Sequence, residues 1–181
     1  VGGAHCCFSV DVYEIGDNFR KIATLDALDY DRAHFEKIGT DKRLVFVMYD
    51  FTTFSGFGRY WCDRDFVTPP TSRIMLRYIN GKYRLDVDLM RKSAPTSKEI
   101  AGMIAEVQSK WQEDCSTPIP KRLWSMMLDL AYSGNVESAW QVFDRVWKPG
   151  AFGKEEALKA FRSKLEKSPY WEEIKLLNRI H

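Results

Sequence analysis

The stretch SRIMLRYINGKYRLDVDLMRKSAPTSKEIAGMIAEV (72–107) changes its period partway along, and that change decides the fold. In SRIMLRYI (72–79) and KYRLDV (82–87) the pattern suits half-buried strands, and Asn80-Gly81 stands between them. Asn-Gly between two such runs is the strongest short-range hairpin signal, because both residues accept the positive φ that a tight turn demands. Beyond Pro95 the spacing lengthens. Thr96 and Glu99 have capping-box spacing, and Ile100, Met103, Ile104, Val107 and Trp111 recur on one helical face. The chain therefore divides near Pro95 into a strand-forming part (1–95) and a helix-forming part (96–181), which can pack as one compact unit.

Upstream of the hairpin, CFSVDVYEI (7–15) alternates Phe8, Val10 and Val12 with Ser9 and Asp11. Gly16-Asp17-Asn18 supplies turn chemistry, and FRKIATL (19–25) can return antiparallel to it. LVFVMYDF (44–51) is almost wholly apolar and rich in β-branched and aromatic residues, as expected of a central strand covered on both faces.

Downstream, the first helix is expected to run to about Glu113. A second begins at Pro120 with Leu123, Trp124, Met127, Leu128 and Ala131, and stops at Gly134. Asn135 is placed to cap a third, carrying Val136, Ala139, Trp140, Phe143, Val146 and Trp147. A fourth starts near Lys154, and Ser168-Pro169 opens a short last one. Ser133-Gly134-Asn135 makes the second and third an αα-hairpin, whose Leu130, Gly134, Ala139 and Phe143 have spacings similar to a tetratricopeptide unit. No second copy follows at that period, so a packing hairpin is favoured over a repeat-type peptide groove. The expected fold class is α+β: a mainly antiparallel N-terminal sheet packed against a C-terminal helical bundle.

Composition narrows the function classes. The chain has 181 residues, 45% hydrophobic and 29% charged, which is ordinary globular usage. Its net charge of +2 is divided evenly on the two sides of Pro95. Basic and acidic residues interleave, as in Lys154, Glu155, Glu156 and Lys159, so no concentrated positive footprint marks a nucleic-acid partner. No apolar run is long enough to span a membrane, and no cofactor or metal is expected.

Four cysteines, Cys6, Cys7, Cys62 and Cys115, and three histidines supply the remaining chemistry. A thiol nucleophile needs a base within hydrogen-bond reach. His5 adjoins Cys6, but neighbours on a strand point to opposite faces, so only His34 remains for a hydrolase using Cys6 or Cys7. Cys6-Cys7 lacks the spacer of a zinc pair. Asp26, Asp29, Asp31 and Glu36 lack the glycine-turned loop of a calcium site and are read as a solvated acidic connection. Disulfides explain an even cysteine count most simply, with three pairings open. A Cys62–Cys115 bridge would close a loop of about 53 residues and contribute roughly 4 kcal/mol in the chain-entropy account. Reduced, buried thiols are the alternative.

Aromatic residues crowd the segment that follows the central strand. Phe54, Phe57, Tyr60 and Trp61, with Arg59 and Arg64, lie in a stretch of loop composition. Their first expected role is to cap the sheet or pack on the helices. The functional alternative is a surface for carbohydrate or peptide.

GGAHCCFSVDVYEI (2–15), the hairpin segment, GNVESAWQVFDRVW (134–147) and KSPYW (167–171) together resemble a group of uncharacterised exported bacterial proteins. That group is distantly similar to the FG-GAP and VCBS repeats of β-propellers. The resemblance covers most of the chain and rests on structural motifs. It implies a periplasmic or secreted protein, expected to have lost a signal segment before Val1, and no established activity. The expected partner, a protein or cell-envelope ligand bound without catalysis, is a separate reading. Two departures limit it. Glu36 to Arg43 replaces the aspartate-rich loop, which removes any inherited calcium role. The strand-forming part is also too short for the roughly four to eight blades of a closed propeller. The leading expectation is a non-enzymatic binding module.

Overall fold

The Asn80-Gly81 turn forms as its chemistry requires, with φ of 50° and 85° in the computed structural model of the chain. The residues described are 8–28, 33–39, 43–50, 70–109, 111, 121–147 and 153–180. The turn joins β5 (Ser72–Ile79) to β6 (Lys82–Leu85) in the register Ile79↔Lys82 and Leu76↔Leu85. β4 (Leu44–Asp50) pairs with the other edge of β5, so Phe46, Met48 and Asp50 stand opposite Leu76, Ile74 and Ser72. With β3 (His34–Lys37) the sheet is antiparallel in the order β3-β4-β5-β6. β4 is thus an interior strand, and Val45, Phe46, Val47 and Met48 are all buried, as an apolar run covered on both faces should be.

β1 (Phe8–Glu14) and β2 (Arg20–Leu28) form a separate two-stranded antiparallel ribbon. Among the described residues the strand-forming half therefore builds two sheets, a finer division than the alternation alone predicts. Leu25 and Ala27 are buried, while Val10, Val12 and Ala23 pack half-buried against the core. The far end of the ribbon stays exposed: Tyr13 stacks on Phe19 at 4.9 Å, and Ile15 is 88% exposed.

Three elements depart from the sequence reading. β3 replaces part of the expected acidic connection, because Phe35 pairs with Phe46 across the strands and their rings meet at 4.9 Å. The strand after Gly81 ends at Leu85, not Val87. Asp86 instead accepts from Leu89 N at 3.1 Å and starts the one-turn helix α1 (Val87–Met90). The first long helix, α2 (Ser97–Ser109), also ends earlier than Glu113. Its capping box is complete: Glu99 Oε2 accepts from Thr96 N at 2.7 Å, and Thr96 Oγ1 accepts from Glu99 N at 3.3 Å.

α3 (Lys121–Tyr132) and α4 (Val136–Val146) form the expected αα-hairpin, followed by α5 (Lys154–Leu165) and α6 (Trp171–Asn178). Gly134 turns the hairpin with φ of 82°. Asn135 holds the N-cap position of α4 without capping it. Its amide donates to Lys92 O, Ser133 O and Ser133 Oγ at 3.1 to 3.3 Å, and Val136 N donates to Asn178 Oδ1 at 2.8 Å. The cap comes from α6, a partner that local sequence spacing does not reveal.

One continuous apolar cluster runs from Phe46, Met48 and Ile74 of the sheet to Trp124, Phe161 and Leu177 of the helices. This arrangement is the α+β architecture read from the sequence. Trp124 is fully buried and stacks on Phe161 at 5.3 Å, and Trp147 meets Trp111 edge-on at 5.8 Å. These tryptophans pack; they do not line a ligand cage. Among the described residues, no helix is long and apolar enough to cross a membrane.

Candidate functional site

Polar bonds fix α3 to one end of the sheet. Asp50 and Ser72 are cross-strand partners, and Tyr132 and Asp129 lie one turn apart on α3. The Tyr132 hydroxyl donates to buried Asp50 and lies 2.8 Å from Ser168 Oγ, while Ser72 Oγ donates to Asp129 Oδ1 at 2.9 Å. Burial, and then the charge of Asp50, push the Tyr132 hydroxyl well above the ordinary tyrosine range. Tyr170 shifts in the same direction from the same two causes. Burial raises the Asp129 carboxyl above the ordinary carboxylate range, opposed by Ser72, Lys92 and Arg122.

Beyond Asp129 a groove of about 510 Å³ opens between the segment 92–96, α2, α3 and the α3–α4 turn. Met103, Met126 and Leu130 give it an apolar lining. Lys92, Glu99, Glu106, Arg122 and Asp129 supply charged groups of both signs. Arg122 closes one side by a forked pair with Glu106, at 2.7 and 3.2 Å, which raises the guanidinium further above its usual range. Backbone bonding of Thr96 holds the Glu99 carboxyl below its ordinary value. The segment that forms the opposite side is pinned by Lys92 N donating to Ser133 O at 3.1 Å and by the Asn135 amide. The groove is therefore preformed, and its size falls within the range of small-ligand and short-peptide sites.

The sequence-predicted residues distribute differently. Phe54, Phe57, Arg59, Tyr60, Trp61 and Arg64 lie outside the described residues, as do Cys6, Cys7, Cys62 and Cys115. The disulfide pairings and the aromatic surface therefore have no geometry here. His34 is on the exposed edge strand β3, with Nε2 3.8 Å from Glu36 Oε2. Glu36 also accepts from Arg73 Nη2 at 2.9 Å, and Asp26 lies on β2. Among the described residues, no three His, Cys, Asp or Glu side chains are grouped to hold a metal ion.

The groove itself was not anticipated. Met103 lies on the apolar stripe read for the first helix, whereas Met126 falls outside the stripe read for the second, so the sequence offers only half of the apolar lining. Nothing local announced that the 92–96 segment would fold back over the α3–α4 turn. No family model, curated protein or solved structure matches the chain.

Proposed function

We propose that this chain is a non-enzymatic module of an exported bacterial protein, and that the groove beside α3 takes a short segment of a partner protein. The observation that carries this reading is the preformed groove with Met103, Met126 and Leu130 inside and charges of both signs around them. Methionine adapts to apolar side chains of different shape, and a mixed-charge rim satisfies the polar backbone on either side of an apolar anchor. Arg122 and Glu106 neutralise one another, and the Asp129 carboxylate is held by Ser72, so these groups support orientation. The periplasmic or cell-surface location belongs to the same proposal and rests on the family resemblance and the cysteine count.

Selection from a displayed peptide library, followed by calorimetric titration, tests the reading. Peptides with one apolar anchor are expected to bind the native chain and to lose at least tenfold in affinity against Met103→Glu. The control Leu176→Glu, at a residue 66% exposed on α6, should bind normally. Equal affinity for Met103→Glu, or no enriched peptide, would remove the groove from the proposal. Alkylation of the native protein, read by intact mass before and after reduction, separates the rival thiol hydrolase. A thiol that reacts readily without reduction would favour that enzyme over a binding module.

A further inference from the structure

A second, smaller pocket of about 240 Å³ is formed where α4, α5 and α6 meet. Trp140 and Trp171 line it, Val136 and Leu165 give it an apolar floor, and Glu137 and Glu166 stand at its margin. The Arg162 guanidinium carbon lies 4.8 Å from the centroid of the Trp140 ring. Among the described residues neither carboxylate forms an ion pair, so this arginine rests on an indole with two acidic neighbours. Phe161 meets the same indole edge-on at 5.7 Å and holds its orientation.

We infer that this pocket binds a small quaternary ammonium group, and that Arg162 occupies the cation position when no ligand is present. The quadrupole of an indole attracts a cation over its face, and two carboxylates add to that field. An apolar floor cannot rehydrate a metal ion or a primary ammonium, which are strongly hydrated. It suits a weakly hydrated cation, and guanidinium is the side-chain example already there. Arg162 is exposed on α5, so turning its side chain outward disturbs no buried packing of its own. The pocket's volume is below that of drug-sized sites and admits a headgroup of this kind.

Choline is the probe, and 3,3-dimethylbutanol, its uncharged counterpart of the same shape, is the control. Binding is read from the indole N–H resonances of Trp140 and Trp171 in the full chain at constant ionic strength. Choline should shift both saturably, and dimethylbutanol should not. Arg162→Ala removes the internal competitor and should tighten choline binding about two- to fivefold. Glu137→Gln and Glu166→Gln, both at exposed positions, should weaken it without altering the fold. Trp140→Leu, checked for native circular dichroism, should abolish it. Equal binding of the two probes, no saturable shift in Arg162→Ala, or weaker binding by Arg162→Ala would each overturn the inference.

Discussion

Replacing Tyr132 by Phe removes one oxygen from the most deeply buried polar cluster, and its effect can be worked out in both size and pH dependence. The hydroxyl donates to Asp50, which is 1% exposed, and contacts Ser168 Oγ. A hydrogen bond to a charged group contributes about 1.5–3 kcal/mol, since the acceptor keeps its desolvation penalty when the donor goes. For a chain of this length that is a fall in melting temperature of about 3–12 °C at neutral pH. The sign of the pH dependence follows from the raised Tyr132 pKa. A group whose folded pKa exceeds its unfolded value stabilises fully below the unfolded pKa, near 10 for tyrosine, and loses that contribution as pH rises through the folded value. The native protein should therefore lose about 1.4 kcal/mol per pH unit above pH 10 that the Phe variant does not lose. Tyr170 shifts in the same direction but is present in both proteins, so it cancels. Urea unfolding followed by circular dichroism, from pH 7 to the alkaline limit, should show two curves separated at neutral pH and converging above pH 10. A separation that persists unchanged into strong alkali would refute the assignment of a buried, protonated hydroxyl beside Asp50. So would a variant as stable as the native chain at pH 7.

Other perturbations test the remaining joints. Gly134→Ala should cost about 2–3 kcal/mol in denaturant unfolding, since φ is 82° and a Cβ would meet Leu177 O at 2.9 Å. Gly81→Ala, with φ of 85° and open space around it, should cost about 1 kcal/mol, and an equal pair of costs would discount the close approach to α6. Asp86→Asn keeps an acceptor for Leu89 N but loses the buried ion pair with Arg77, so a cost of about 3 kcal/mol is expected in the same assay. Asp86→Ala should cost about 1 kcal/mol more through loss of the cap. Asn178→Ala should cost about 1–2 kcal/mol and speed hydrogen exchange at Val136 N. Asn178→Asp keeps that acceptor but loses the amide that donates to Ala131 O and Ile174 O at 2.7 and 2.8 Å, so it too should unfold more easily than the native chain.

What could be read in advance was what is local. The Asn80-Gly81 turn, the Thr96/Glu99 box and the Gly134 stop each draw on residues within one turn of each other, and all three are present. HFEK (34–37) offers only one apolar residue in four and becomes a strand because β4 supplies its partner. KYRLDV (82–87) reads as one strand through Val87 until Asp86 is seen to cap a helix there while holding Arg77. The groove depends on still more distant relations: Lys92 meets Ser133, and Glu106 meets Arg122 from 16 residues away, contacts that no local residue pattern specifies. Glu99 reads in the sequence as half of a capping box, and Glu106 and Asp129 carry no signal of their own; only tertiary contact sets all three along a groove.

The cap that α6 lends to α4 carries a consequence for how the chain assembles during synthesis. Val136 and Asn178 are 42 residues apart, so the αα-hairpin leaves the ribosome with an open N-terminal turn on its second helix. At about 5–20 residues per second, roughly two to eight seconds pass before the missing acceptor is made. Over that interval α4 must rely on its apolar face against α3, and the final turn of α6 works as a latch that closes the hairpin from outside.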